Sequence, residues 1–165
     1  MPAIRGNIAS RLVELGIVLP EPPTPLGTYV ETSDAGHLLF LSGVLPVVNH
    51  DSLTIGRLGE NFSVKDGQEA ARIASLNALA AAKQHLGTVD RIKKLVKLTV
   101  LMRTTEEFAE HAAVADGASD LFAQIFGPKP GHTRPVYGVQ SLPVRAPLIV
   151  DTIFEIEPMQ TLIKQ

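Results

Sequence analysis

A single arginine, Arg134, stands just before the last apolar segments of the chain, in the stretch GHTRPVYGVQ of residues 131–140. Arginine stays charged at physiological pH, and its planar fork of N–H groups fits a carboxylate or a phosphate. Because Pro135 restricts the backbone beside it, the guanidinium would be held in place. The pattern indicates an anchor for a small organic acid. A surface ion pair with a nearby acidic side chain is the alternative, and the pattern alone favours that alternative.

A carboxylate, Asp151, interrupts the otherwise apolar run LIVDTIF of residues 148–154. A buried carboxylate must be paired or have a raised pKa, so Asp151 could act as a general acid or base, or could orient a water molecule. The alternative is that Asp151 lies on an exposed face of its strand with Ile149 and Ile153. That face could equally be an interface between subunits.

Two further side chains could line a site. Tyr29 could present its hydroxyl to a pocket, or it could simply pack against its neighbours. His132, two residues before Arg134, could contact an anion or transfer a proton, and an ordinary loop histidine is the alternative. The five histidines have no metal-ligand spacing, and the chain has no nucleotide-binding glycine loop and no nucleophile elbow. The sequence therefore predicts no metal and no cofactor.

Composition excludes several classes of protein. The chain has 165 residues, a formal net charge of -2 and no cysteine. A nucleic-acid-binding groove would normally show a basic stripe, which is missing here. Without cysteine there is no disulfide and no thiolate nucleophile. No signal peptide and no apolar run of about 20 residues is present, so we expect a cytoplasmic protein without a membrane span.

The N-terminal part of the chain differs from the rest. Apolar residues at helical spacing predict a short helix over residues 3–16, which Gly16 can end. The proline-rich segment PEPPTP (20–25) follows and reads as a stiff connector. We therefore divide the chain into a helix and connector (1–24), a main domain (25–157) and a C-terminal tail (158–165).

The main domain reads as alternating strands and helices. A hairpin is predicted over 27–48, with Tyr29 in its first arm and its turn at residues 33–36, and a polar loop follows over 49–62. The remaining predicted elements are a helix over 63–87 capped by Ser63, a strand over 91–104, a helix over 104–127 capped by Thr105 with a possible break at Gly117, and a pair of strands over 136–142 and 148–157. This order predicts an α+β fold with two helices on one face of a mixed sheet.

An ordered set of motifs resembles the RidA family, also called YjgF-type. The motifs are PLGTYV, LFLSGVLPVV, AARIASLNALAAAKQHLG, VKLTVLM, GASDLFAQIFG, HTRPVYGVQSLP and VDTIFEIE, and they run from about Pro25 to Glu157. The resemblance implies a chorismate-mutase-like fold. It also implies a homotrimer whose sheets form a central barrel, with ligand clefts between neighbouring subunits. The N-terminal helix and connector suggest a divergent subgroup.

The resemblance also implies an activity. Members of the family hydrolyse reactive enamine and imine intermediates, such as 2-aminoacrylate, to a 2-keto acid and ammonia. The family arginine at the position of Arg134 holds the substrate carboxylate. Two alternatives stay open: a trimeric protein that binds a keto acid or an amino-acid-derived acid without turnover, and the RNA cleavage sometimes ascribed to the family. The acidic net charge argues against RNA cleavage.

Other site residues are assigned through the same resemblance. Tyr29 matches a cleft tyrosine of the family, and Ser42 and Gly43 match its Ser-Gly turn near the cleft. Asp116 takes the place of an asparagine in the family pattern. These four residues, with Arg134, are the expected substrate contacts.

The chain departs from the family pattern at two positions. Val136 stands where the family often has a cysteine, so cysteine chemistry is excluded, although Val136 would still line the cleft. Ile149 aligns near the family's cleft glutamate. Asp151 lies two residues further on, on the same side of the strand, and is the expected catalytic carboxylate.

Overall fold

One five-stranded mixed sheet, covered on one face by two long helices, forms the centre of the molecule. The computed structural model describes residues 7–49, 52–129 and 131–158. The strands lie in the order β1-β2-β7-β5-β6, and β3 and β4 form a separate two-stranded hairpin. The elements are α1 (Ile8–Glu14), β1 (Thr32–Ala35), β2 (Leu38–Leu41), β3 (Val47–Val48), β4 (Ser52–Leu53), α2 (Val64–Leu86), β5 (Ile92–Arg103), α3 (His111–Phe126), β6 (Val136–Val139) and β7 (Leu148–Ile156). The predicted α+β class is confirmed.

Helix α2 forms where the sequence predicts it, because both of its ends carry strong signals. The Ser63 side chain accepts from the Asp66 backbone N–H, and the Asp66 carboxylate accepts from the Ser63 backbone N–H. Gly87 ends the helix in the left-handed region with φ 81°, which glycine adopts without steric penalty. The alanines between these ends are buried and let the helix lie close to the sheet.

Helix α3 begins at His111, so the predicted start at residue 104 and the cap at Thr105 are wrong. The Thr105 backbone N–H donates to the Leu58 carbonyl at 2.9 Å, which keeps this segment paired like a strand. Gly117 does not break the helix either. A Cβ atom at Gly117 would lie 2.1 Å from the Gln68 carbonyl oxygen, so the glycine permits close contact between α3 and α2.

The last two strands do not pair with each other, contrary to the prediction. Strand β5 lies between them: it pairs parallel with β6 and antiparallel with β7. The connection between β6 and β7 crosses the end of β5, where the Arg103 backbone N–H donates to the Pro147 carbonyl at 2.8 Å. Neighbouring strands in sequence are often neighbours in a sheet, and this pair is an exception.

Smaller differences occur elsewhere. The first hairpin turns at residues 36–37, so residues 33–35 belong to β1 and Tyr29 precedes that strand. The predicted loop over 49–62 contains β4, which pairs with β3. The predicted helix over 3–16 is observed as α1, and its residues 3–6 lie outside the described part, as does most of the tail, residues 159–165.

The two faces of the sheet have different surroundings. The helix-covered face buries residues such as Leu98, Val100 and Phe154, each fully inaccessible. A β-bulge in β5 gives Leu95 the buried position that the strict alternation assigned to Val96. No described element covers the opposite face, which carries Phe40, Leu101, Tyr137, Ile149 and Ile153. Within the described residues, no helix is long and apolar enough to cross a membrane.

Candidate functional site

The backbone on both sides of Arg134 is tied to β5. The Leu98 N–H donates to the Thr133 carbonyl at 2.9 Å, and the Val100 N–H donates to the Pro135 carbonyl at 3.1 Å. The Thr133 N–H also donates to the Val96 carbonyl at 3.0 Å. Arg134 therefore lies in an extended segment fixed to the sheet, immediately before β6.

The Arg134 side chain contacts helix α3. Its Nη1 donates to Asp116 Oδ1 at 2.6 Å and to Ser119 Oγ at 3.0 Å, and its Nη2 donates to the Ala112 carbonyl at 3.4 Å. The side chain of Arg134 is 21% exposed and that of Asp116 is 51% exposed. Water can thus compete for the carboxylate, and such an exposed pair contributes about 0–1 kcal/mol. The ion pair that the sequence allowed as an alternative is present, and it leaves the guanidinium able to change partners.

His132 extends this cluster. Its Nε2 lies 2.9 Å from Ser119 Oγ, the hydroxyl that Arg134 contacts. Partial burial, together with the positive charge of Arg134, lowers the pKa of His132 below its usual value. A neutral imidazole is therefore the dominant form near neutral pH. Val136, two residues after Arg134, packs against the hydrophobic core.

The second group of predicted site residues lies beside β2. Ser42 Oγ donates to the Val30 carbonyl at 2.6 Å, and the Ser42 N–H donates to the Glu31 carbonyl at 2.9 Å. These bonds hold the segment before β1 against the end of β2. The Tyr29 hydroxyl accepts from the Leu26 N–H at 3.1 Å, which folds the chain back before β1.

Gly43 lies against strand β7. A Cβ atom there would be 2.7 Å from Ile149 Cγ2, so glycine allows the segment to approach β7 closely. The Val44 and Val150 backbones exchange hydrogen bonds of 2.7 and 3.0 Å, which fix this approach. Ile149, which the resemblance places near the family glutamate, is thus next to Gly43 and presents an apolar side chain.

A cavity of about 230 Å³ opens beside these residues. Tyr29 and Gly43 line it together with Glu31, Asn49 and Asn77. Burial raises the pKa of Glu31 above its ordinary value. The sequence analysis did not name Glu31, which lines this cavity two residues after Tyr29. Apolar walls come from Pro20, Pro23, Leu26, Val44, Leu45 and Val47.

Asp151 lies on the uncovered face of the sheet, directly after Val150, whose backbone pairs with Val44 next to Gly43. It is opposite Thr99 in the pairing of β5 with β7. Partial burial raises the pKa of Asp151, and the nearby charge of Lys97 offsets part of that effect. In the described chain, Asp151 makes no side-chain hydrogen bond with Arg134, whose partners are on α3.

One chain does not bring the two groups of site residues together. Arg134 precedes β6 at one edge of the sheet, whereas Tyr29, Ser42 and Gly43 lie near β1 and β2 at the other edge. Strands β7 and β5 stand between β2 and β6, a separation of roughly 14 Å at ~4.8 Å per strand. Within the described residues, no three metal-ligating side chains lie close enough together to hold a metal ion.

Comparison with known proteins identifies a family that matches most of this chain. A family described as "YjgF/chorismate mutase-like, putative endoribonuclease" matches residues 9–156. The protein TCP17 of Trypanosoma cruzi is 38% identical over 152 residues, which cover 92% of this chain and 95% of TCP17.

Solved structures show the same fold. A structure from Shewanella oneidensis, described as a putative endoribonuclease, superposes with a TM-score of 0.86 at 35% identity and covers 92% of this chain and 100% of that one. Escherichia coli TdcF, solved with bound serine, has a TM-score of 0.58 at 25% identity, covering 84% of this chain and 94% of TdcF.

Proposed function

Since the chain belongs to the YjgF/chorismate mutase-like family, we propose that it hydrolyses 2-imino acids to 2-keto acids and ammonia. The observation that carries this proposal is Arg134, a guanidinium on a rigid backbone segment whose acidic partner is half exposed. A substrate carboxylate can replace Asp116 on the fork, because both present the same pair of oxygens. The bidentate contact would fix the substrate next to the sheet edge.

The reaction itself needs only water. Water adds to the imine carbon, its protons pass to the nitrogen, the carbon–nitrogen bond breaks, and the protonated imine R–C(=NH₂⁺)–COO⁻ becomes R–CO–COO⁻ and NH₄⁺. An enamine such as 2-aminoacrylate first tautomerises to the imine. The chain would contribute the position of the carboxylate and the groups that orient the water, so that the attack is effectively unimolecular.

The proposed cleft lies between copies of the chain, in a homotrimer. Two observations support this assembly. The expected substrate contacts lie at opposite edges of one sheet. The uncovered face also exposes large apolar side chains, with Phe40 at 41% and Tyr137 at 55%, as a surface that packs against another subunit would.

The bound serine of TdcF supports the class of ligand. Serine carries a carboxylate and an amino group on one carbon, as a 2-imino acid carries a carboxylate and an imino group. TdcF shares 25% of its residues with this chain over most of both. We therefore expect a substrate built on the amino-acid skeleton.

The test is keto acid release from 2-imino acids generated freshly from amino acids by an amino-acid oxidase. We expect release above the spontaneous rate, and a loss of about 100-fold in kcat/KM for Arg134→Ala. That loss corresponds to about 3 kcal/mol for the lost charged hydrogen bonds. Arg145→Ala is the matched control, because Arg145 is an exposed arginine before β7.

A rate equal to the spontaneous one across small and bulky imines would sink the proposed reaction. Equal losses in Arg134→Ala and Arg145→Ala would sink the role of Arg134.

A binding protein without turnover is the second candidate. It is favoured by the apolar side chains of Val136 and Ile149, which stand where the family pattern has reactive groups. It is also favoured by the position of Asp151 on the uncovered face of the sheet, because the Arg134 side chain bonds to α3 instead. It predicts an increase in melting temperature with pyruvate or serine but no catalysis. RNA cleavage is disfavoured, because the net charge is -2 and the sequence has no basic stripe that would bind phosphates.

A further inference from the structure

The cavity beside β2 has an unusual charge balance. Its walls contain two carboxylates, Glu21 from the connector and Glu31 from the segment before β1. No lysine, arginine or histidine lines it. Among the described residues, the Glu31 carboxylate makes no ion pair and no hydrogen bond. A partly buried carboxylate without a partner is unfavourable, and a cationic ligand would relieve that cost.

The walls of this cavity are held by internal hydrogen bonds. Asn77 Nδ2 donates to the carbonyls of Leu45 and Val47 at 3.0 and 2.9 Å, which fixes the segment after β2 against α2. The two bonds of Ser42 hold the segment that carries Glu31. The connector that forms the remaining wall is stiffened by its prolines. A cavity formed in advance lowers the ordering cost of binding.

The size and lining of the cavity restrict the ligand further. A volume of about 230 Å³ equals the space of roughly eight water molecules at ~30 Å³ each. The apolar walls, among them Leu45 and Val47, suit a branched aliphatic group of four or five carbons. The carboxylates suit a protonated amine or imine.

We propose that this cavity binds the nitrogen and the branched aliphatic side chain of a leucine-like 2-imino acid, with Glu31 accepting from the nitrogen. The identity of this ligand as a substrate rests on the proposed function. The preference for an aliphatic cation rests only on the cavity. In this proposal the N-terminal connector helps to form the binding site, because its residues Pro20 and Pro23 form the cavity wall next to the ligand side chain.

The binding test uses 3-methylbutylamine, which has the branched body and the positive charge but cannot be hydrolysed. Calorimetry should show binding to the full chain, and no binding of 3-methylbutanoate, which has the same body with a negative charge. Glu31→Gln, which keeps the shape of the side chain, should lower the affinity for 3-methylbutylamine about tenfold. Glu21→Gln should lower this affinity several-fold. Glu69→Gln, on the exposed side of α2, should leave the affinity unchanged.

The turnover test compares the 2-imino acids derived from leucine and alanine. We expect the leucine-derived imine to have the higher kcat/KM, and Glu31→Gln to reduce that preference. Melting curves of each variant would identify a loss that comes from unfolding. Pro23→Gly, which loosens the connector without removing a charge, should also lower the preference.

The two proposals fail in different ways. If 3-methylbutylamine binds through Glu31 but no imine is hydrolysed, the proposed cation site is supported and the proposed reaction is contradicted. If imines are hydrolysed without any preference for the branched side chain and 3-methylbutylamine does not bind, the reaction stands and the cavity inference is overturned. Equal binding of the amine and of 3-methylbutanoate would also overturn it.

Discussion

The two edges of the sheet carry site residues of opposite charge, and these charges differ in whether they have a partner within the described chain. At the β6 edge, the guanidinium of Arg134 is held by a carboxylate, a hydroxyl and a carbonyl of α3. At the β2 edge, Glu21 and Glu31 line a cavity without a cationic partner among the described residues. Arg134 therefore already has a charged partner, which a ligand carboxylate could replace. Glu21 and Glu31 have no cationic partner, and a cationic ligand would provide one.

This difference suggests how an amino-acid-like ligand could be recognised. Its carboxylate requires a cation and its nitrogen requires an anion, and the chain supplies each at a different edge. A cleft shared by two chains would bring the two signs together, whereas a single chain would hold only half of the ligand. Changes made at one edge should therefore affect one end of the ligand.

Gly117→Ala should have the largest effect, because it displaces the helix that holds Arg134. The new Cβ would lie 2.1 Å from the Gln68 carbonyl oxygen, so the backbones of α2 and α3 must separate. We expect a loss of about 3 kcal/mol in the free energy of unfolding, measured by urea denaturation. Keto acid release should fall more than the binding of 3-methylbutylamine.

The control for this change is Asp120→Ala, an exposed position on the same helix. A similar loss of stability in both variants would mean that the close contact at Gly117 contributes little.

Asp116→Asn should have a smaller and opposite effect. Asparagine keeps an acceptor oxygen for Arg134 but removes the competing charge. Since an exposed ion pair contributes at most about 1 kcal/mol, we expect pyruvate to bind up to about fivefold more tightly, as measured by calorimetry. Asp120→Asn serves as the matched control. Weaker binding in Asp116→Asn would show instead that the carboxylate holds the guanidinium in its binding position.

Asp151→Asn should have the smallest effect, a change in the free energy of unfolding that depends on pH. Burial raises the pKa of Asp151 in the folded chain, so ionisation is less favourable there than in the unfolded chain. The resulting loss of stability is missing below the unfolded pKa, grows as the pH rises towards the folded pKa, and is complete above it. Asparagine removes this loss.

We therefore expect Asp151→Asn to be more stable than the parent chain at pH 7, by about 0.5 kcal/mol, and equal to it at pH 3. Urea denaturation at both pH values measures the difference. A difference of the same size at both values would assign the effect to packing rather than to charge.

The sequence predicted those elements whose signals are local. Helix α2 was placed to within one residue at each end, because the Ser63–Asp66 capping box and Gly87 act within a few residues. Helix α3 was started too early, because Thr105 is paired with the distant Leu58, which no local pattern reveals. The false pairing of the last two strands has the same cause, since β5 is inserted from an earlier part of the chain.

The candidate site divides in the same way. The charge of Arg134 and the proline beside it are visible in the sequence, and the ion pair that this pattern favoured is present, whereas its role as a substrate anchor came from the family resemblance and stays a prediction. Its partners on α3 include Asp116, which the family resemblance had already named, and Ser119, which it had not. Glu31 was missed, because a glutamate in a hairpin arm resembles an exposed polar residue until the connector is folded over it.

Strand β7 joins the two edges, and it follows the other described strands of the sheet along the chain. It lies between β2 and β5, so the hairpin of β1 and β2 meets the rest of the sheet through residues 148–156. During synthesis the hairpin, α2, β5 and α3 leave the ribosome before the strand that connects them. The geometry of both edges is therefore fixed only after residues 148–156 have been synthesised. A chain cut before Leu148 would keep the hairpin and the helix-covered part of the sheet but would lack the strand that joins them.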